Sequence, residues 1–287
     1  MPRYQVVWPL AAALGEGPVW LGSGHTLWFG DIKGRALHQY IPGTGERHSY
    51  PLPGQPSFIV PASDGSMLIG MGLGLYRVLD GILGEQIAGV AGAAHDRTND
   101  ATVDSRGRLW FGTMDSAESA PTGAVHLYDG QSVRSVGGAC TITNGPAISP
   151  DGRTLYHVDT LAGKIWRFDI SVRDELTDGQ LFAAIDPEHG NPDGVTVDSE
   201  GCVWVGLWGG WCVRRYAPDG RLLASISLPC ANVTKIAFGG ADLRTAYVTT
   251  ARVGLSADQL ALQPLAGALF AFEAPVAGLP AYAVALT

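Results

Sequence analysis

The chain has 287 residues, 46% of them hydrophobic, with 39 glycines and 18 prolines; this turn-rich globular composition excludes a disordered or fibrous protein. A formal net charge of -8 argues against a nucleic-acid partner, which would call for a basic face. No stretch approaches the roughly 20 apolar residues of a membrane span, and the four cysteines lack the close pairing of a zinc site or a dense disulfide framework, so a cytoplasmic protein with no membrane partner is expected.

The N-terminal segment, Arg3 followed by Val6 to Leu14, has a faint signal-peptide look, but its cationic region is thin and its apolar run short. From Leu27 onward one pattern recurs. LWFGDI begins at Leu27, MLIGMG at Met67, LWFGTM at Leu109, LYHVDT at Leu155, VWVGLW at Val203 and AYVTTA at Ala246, a mean spacing of about 44 residues that matches a propeller blade. A companion strand precedes each run (GPVWL, SFIVPA, ATVDS, PAISP, GVTVD, KIAFG) and a third follows it (ALHQY, GLYRV, AVHLY, KIWRF, CVRRY, ALFAF). Weaker fourth strands close the units: ERHSYPL, QIAGV, SVRSVGG, QLFAAI, LLASISL and YAVALT. Turn signals such as SDG, SRG, PDG and SEG join first to second strands. The expected fold is all-β, a six-bladed β-propeller of four antiparallel strands per blade, occupying residues 1–287 as one domain. The extra strand at Tyr4 to Trp8 is expected to pair with the final blade and protect its edge.

Innermost strands line the central channel, so their entry positions converge on one mouth. Eight residues before the turn glycines Gly24, Gly65, Gly107, Gly152 and Gly201 stand Glu16, Ser57, Asn99, Asn144 and Asp193; the sixth blade places Lys235 in the same register. Carboxylates and amides converging on one axis attract a cation, and all-oxygen donors suit a hard divalent ion. Glu16, Asn144 and Asp193 form the candidate metal site, and the sequence does not choose among Ca²⁺, Fe²⁺, Zn²⁺, Mn²⁺ and Mg²⁺. No G-x-S-x-G elbow, H-E-x-x-H helix or Walker A loop occurs.

On these residues the chain resembles the SMP-30/gluconolactonase/regucalcin-like family. The resemblance is carried by LGEGPVW (14–20), RTNDATVDSRGRLWFGTM (97–114), ITNGPAISPDGRTLY (142–156), NPDGVTVDSEGCVWVGLWGG (191–210) and VTKIAFGGADLRTAYVTTAR (233–252). It implies a sugar lactonase that binds one divalent cation through Glu16, Asn144 and Asp193, with Arg97, Asn99 and Glu118 binding substrate; Asp115 competes with Glu118 for its role. Pro146 departs from the family pattern, which often has a bulkier residue after the glycine. The implied reaction is hydrolysis of an aldonolactone, pentono- or hexono-, by a metal-activated water with Asp193 as general base and proton donor. Xylonolactone-type substrates of the bacterial branch are the nearest match. The expected partner is therefore a small sugar lactone, and the expected state a monomer. Two alternatives stand beside this: a non-enzymatic Ca²⁺-binding regulatory protein, and a phosphotriesterase-like hydrolase on the same fold.

Overall fold

The computed structural model describes residues 4–93 and 95–286. Six four-stranded antiparallel sheets form the blades of a propeller, the strand order running outward from the channel in each. The inner strands are Gly15–Leu21, Pro56–Pro61, Asp96–Val103, Thr143–Ile148, Asn191–Val197 and Val233–Gly239, in blades 1 to 6. Among the described residues there is, between strands, one six-residue helix, Ala257–Leu262, with a Ser256/Gln259 capping box, and one 3₁₀ turn, Pro187–His189. Among the described residues no helix is long and apolar enough to cross a membrane.

Apolar side chains are sealed between adjacent blades, because each sheet has two faces to cover and only its neighbours can cover them. Trp204 of blade 5 lies against Phe238 and Phe272 of blade 6, and Phe58 of blade 2 packs on Phe111 of blade 3. Polar atoms inside these layers are matched. The fully buried Asp198 accepts from Trp204 Nε1 at 2.8 Å and from Arg215 Nε at 2.8 Å, and Asp104 repeats the arrangement with Trp110 Nε1 and Arg108 Nε at 2.9 and 2.7 Å.

The N-terminal strand closes the ring as expected. Gln5–Trp8 runs antiparallel to Leu269–Glu273 as the outer strand of blade 6, and Trp8 reaches sideways onto Phe29 and His38 of blade 1. Arg47 Nη2 donates to Val7 O at 2.6 Å, fastening the strand to blade 1 as well. Of the segment with a signal-peptide look, Gln5–Trp8 is built into the sheet, and Arg3 lies outside the described residues. One expectation is corrected. YAVALT is not the fourth strand of blade 6, because Gln5–Trp8 already occupies that edge. The C-terminal segment instead crosses the channel's far mouth, where Val284 donates to Pro61 O at 2.8 Å and Ala285 to Gly107 O at 2.8 Å; Thr287 lies outside the described residues.

Candidate metal and lactone site

In every blade the pairing of inner strand with second strand slips where the polar ring was placed: between Glu16 and Val19, Pro56 and Phe58, Thr98 and Ala101, Asn144 and Ala147, Pro192 and Val195, and Val233 and Ile236. A bulge breaks the strict in-out alternation of a strand and turns a side chain that would face a sheet toward the axis. The local sequence favours it. Glycine follows Glu16, Asn144 and Asp193, and Gly17 and Gly145 adopt φ of 57° and 71°, a region that side chains with a Cβ avoid.

The bulges gather Glu16, Asn99, Asn144, Asp193 and Lys235, all buried, together with Arg97. Arg97 Nη1 donates to Asn99 Oδ1 at 2.7 Å, which turns the Asn99 amide nitrogen toward blade 4. There it donates to Thr143 O at 2.6 Å and to Asn144 Oδ1 at 2.9 Å. Asn144 Nδ2 in turn donates to Thr160 Oγ1 at 2.9 Å, so Thr160 fixes the flip of the amide and leaves its oxygen facing the ring.

The carboxylates are left short of donors. Glu16 Oε2 accepts only the Gly17 N–H, at 2.9 Å, and among the described residues no hydrogen-bond donor reaches the Asp193 carboxylate. Burial, then the charge of Asp100, pushes Glu16 up to about 8, and burial, then Glu16, raises Asp193 well above the usual carboxylate range. Burial also pulls the Arg97 guanidinium down to about 10, opposed by Glu16, Glu118 and Asp193, and it remains cationic at neutral pH. Two buried carboxylates and an oriented amide oxygen make an all-oxygen, under-compensated donor set. Such a set fits a hard divalent cation. Among the described residues there is no group of three or more His, Cys, Asp or Glu arranged to hold a metal.

Glu118 stands on the loop between Leu109–Asp115 and Gly123–Tyr128, at the same channel mouth, exposed and within electrostatic reach of Arg97. Its competitor Asp115 has another task. Backbone N–H groups of Ser119, Ala117 and Ala120 all donate to its carboxylate, holding it down to about 2 and shaping the loop that carries Glu118. Ser57 is tied down by Gly70 O at 3.1 Å and Thr98 Oγ1 at 2.6 Å. Trp208 packs beside Leu14, Ile32 and Ala251, whereas Trp211 is exposed at the mouth. Pro146 follows a cis peptide bond and lines the cavity at the far end of the channel. Asp100 is a site residue that counting along the repeat did not reach. It is the neighbour of Asn99, and because the bulge lets consecutive residues share the axis, its carboxylate meets the Lys235 ammonium arriving from the opposite blade.

A family description, SMP-30/Gluconolactonase/LRE-like region, matches residues 14–252. The chain belongs to this family. Its relatives include a 6-deoxy-6-sulfogluconolactonase of Pseudomonas putida, 36% identical over 272 residues, which are 93% of each chain. A pentonolactonase of Haloferax volcanii is 35% identical over 280 residues, 94% of each. The crystal structure of regucalcin, a calcium-binding protein from Agrobacterium tumefaciens, superposes with a TM-score of 0.94 at 29% identity, covering 99% of this chain and 98% of that one. The family match spans all six inner strands of the propeller, and with them every residue of the polar ring.

Proposed function

We propose that the protein hydrolyses a sugar lactone, of the pentono- or hexonolactone class, to the aldonic acid with the help of one divalent cation. The observation that carries this reading is the pair of buried, repelling carboxylates Glu16 and Asp193 beside the oriented Asn144 oxygen. Named lactonases among the relatives support the substrate class. When bound by Glu16, Asn144 and Asp193, a divalent cation supplies the Lewis acidity that polarises a lactone carbonyl and stabilises the developing oxyanion.

The chain's own groups do the rest. With no donor occupying it, the Asp193 carboxylate keeps an oxygen free to take a proton from the attacking water as the new C–O bond forms. As the acyl bond to the ring oxygen breaks, Asp193 returns that proton to the ring oxygen, which leaves as the hydroxyl of the open-chain acid. Arg97, locked to Asn99, presents its guanidinium as a fixed donor to the sugar hydroxyls; Asn99, whose two amide hydrogens go to Thr143 O and Asn144 Oδ1, offers them its Oδ1 as an acceptor, and Glu118 accepts from them at the rim. Positioning of this kind lowers the entropic part of the barrier. Four free, buried cysteines support a reducing, cytoplasmic setting.

The test is pH-stat hydrolysis of a panel of pentono- and hexonolactones, with an aryl phosphotriester added, on metal-free protein and after addition of each of Ca²⁺, Mg²⁺, Mn²⁺, Zn²⁺ and Fe²⁺. Ion-restored lactone turnover is expected. Full activity without any ion removes the metal from the reading, and tight Ca²⁺ binding without turnover of any lactone favours a regulatory Ca²⁺ binder.

A further inference from the structure

Asp100 and Lys235 occupy opposite inner strands, in blades 3 and 6, and meet across the channel. Both are buried, with 1% and 6% of their surface exposed. The Lys235 ammonium donates to Asp100 Oδ1, and to Ala101 O at 3.3 Å. Asp100 Oδ1 also accepts from Ala101 N at 2.7 Å, and Oδ2 from Gly145 N at 3.1 Å, the residue after Asn144. Every oxygen of Asp100 is therefore engaged, in contrast to Asp193. The lysine stem reaches this position by passing Gly194, where a Cβ would fall 2.6 Å from Lys235 Cγ. Glycine after Asp193 is thus required by a side chain from the next blade. Below the pair, at the far end of the channel, lies a cavity lined by Thr102, Thr196 and the C-terminal Tyr282; of the six ring residues, only Lys235 borders it.

Three carboxylates, Glu16, Asp100 and Asp193, consequently face one narrow axis, and one of the three is neutralised from within the protein. A third free carboxylate would bind a divalent ion more tightly and cover a position that water and substrate need. We propose that Lys235 sets the affinity of the ion site by engaging Asp100 and holding it out of the ion's coordination, making the two a positioning pair that keeps the centre three-liganded and open. This inference rests on the reading of Glu16, Asn144 and Asp193 as ion ligands.

The experiment is calorimetric titration of metal-free protein with Mn²⁺ and Ca²⁺ for the wild type, Lys235→Met, Asp100→Asn and the double variant, alongside lactone turnover. Methionine keeps the stem that fills the space beside Gly194. Lys235→Met is expected to bind the ion about tenfold or more tightly, since a like charge has been removed from its surroundings, and to turn over more slowly at saturating ion. The double variant, which loses one charge of each sign, is expected within about threefold of wild-type affinity. Asp100→Asn gains no affinity. A scaffold role alone would weaken binding in both single variants and in the double, and that pattern overturns the proposal. So does an unchanged affinity in Lys235→Met. If Lys235→Met folds only with the ion present, its ion-dependent rise in Tm is read instead and should exceed that of wild type; failure to fold even with the ion overturns the proposal. Wild-type protein that binds no divalent ion refutes the ligand assignment itself, and this inference with it, a result distinct from any ordering among the variants.

Discussion

Ion binding should expel a proton. In the ion-free protein Glu16 is pushed up to about 8 from 4.5, first by burial and then by Asp100, and Asp193 is raised as well, first by burial and then by Glu16, so the pair retains a proton near neutral pH. A cation entering between them displaces it. Ion affinity should therefore climb about tenfold per pH unit, or about 1.4 kcal/mol, from roughly pH 5 to roughly pH 8 and flatten above. Calorimetry at pH 7 in buffers of different ionisation enthalpy should show net proton release on ion binding. Stability has the opposite sign. A carboxyl whose folded pKa is raised binds more protons in the folded than in the unfolded chain, so its contribution is fully present below pH 4.5 and is lost as pH rises through about 8. The Tm of ion-free protein should fall across that window, and the ion should restore it most at the alkaline end. Affinity that is flat between pH 6 and 8, with no proton release, would refute the shared-proton reasoning.

Asp193→Asn should lower kcat about 10³-fold or more while leaving the circular dichroism intact. Because that carboxylate has no donor and is repelled by Glu16, the ion-free Tm should be equal to or above wild type; a marked fall would mean that the charge stabilises the fold. Arg97→Lys loses the fixed donor to Asn99 Oδ1 and should raise KM about tenfold with a smaller effect on kcat, as steady-state kinetics will show. Removal of residues 1–8 strips the outer strand from Leu269–Glu273 and the ring contacts of Trp8 with Phe29 and His38. The truncated protein should melt lower and associate with rising concentration in sedimentation experiments, because a bare strand edge pairs with other chains.

The six blades were legible because strand alternation and turn glycines are local signals, repeated at a constant spacing. The same spacing located Glu16, Asn144 and Asp193, since equivalent positions in a ring of equivalent blades must converge. Glu118 was reachable only through family resemblance, as its loop belongs to blade 3 alone. Two features lay beyond local reasoning. YAVALT alternates like a strand, yet the edge it would have joined is held by Gln5–Trp8, from the other end of the chain. Asp100 is one residue from a ring position, where simple alternation points it away from the channel; the bulge turns it inward. There it meets Lys235, 135 residues along the chain, because closing the propeller sets blades 3 and 6 face to face. Local propensity places each residue along its strand, but closure and bulging choose which charges share a buried, low-dielectric axis, and that choice governs the chemistry of the site.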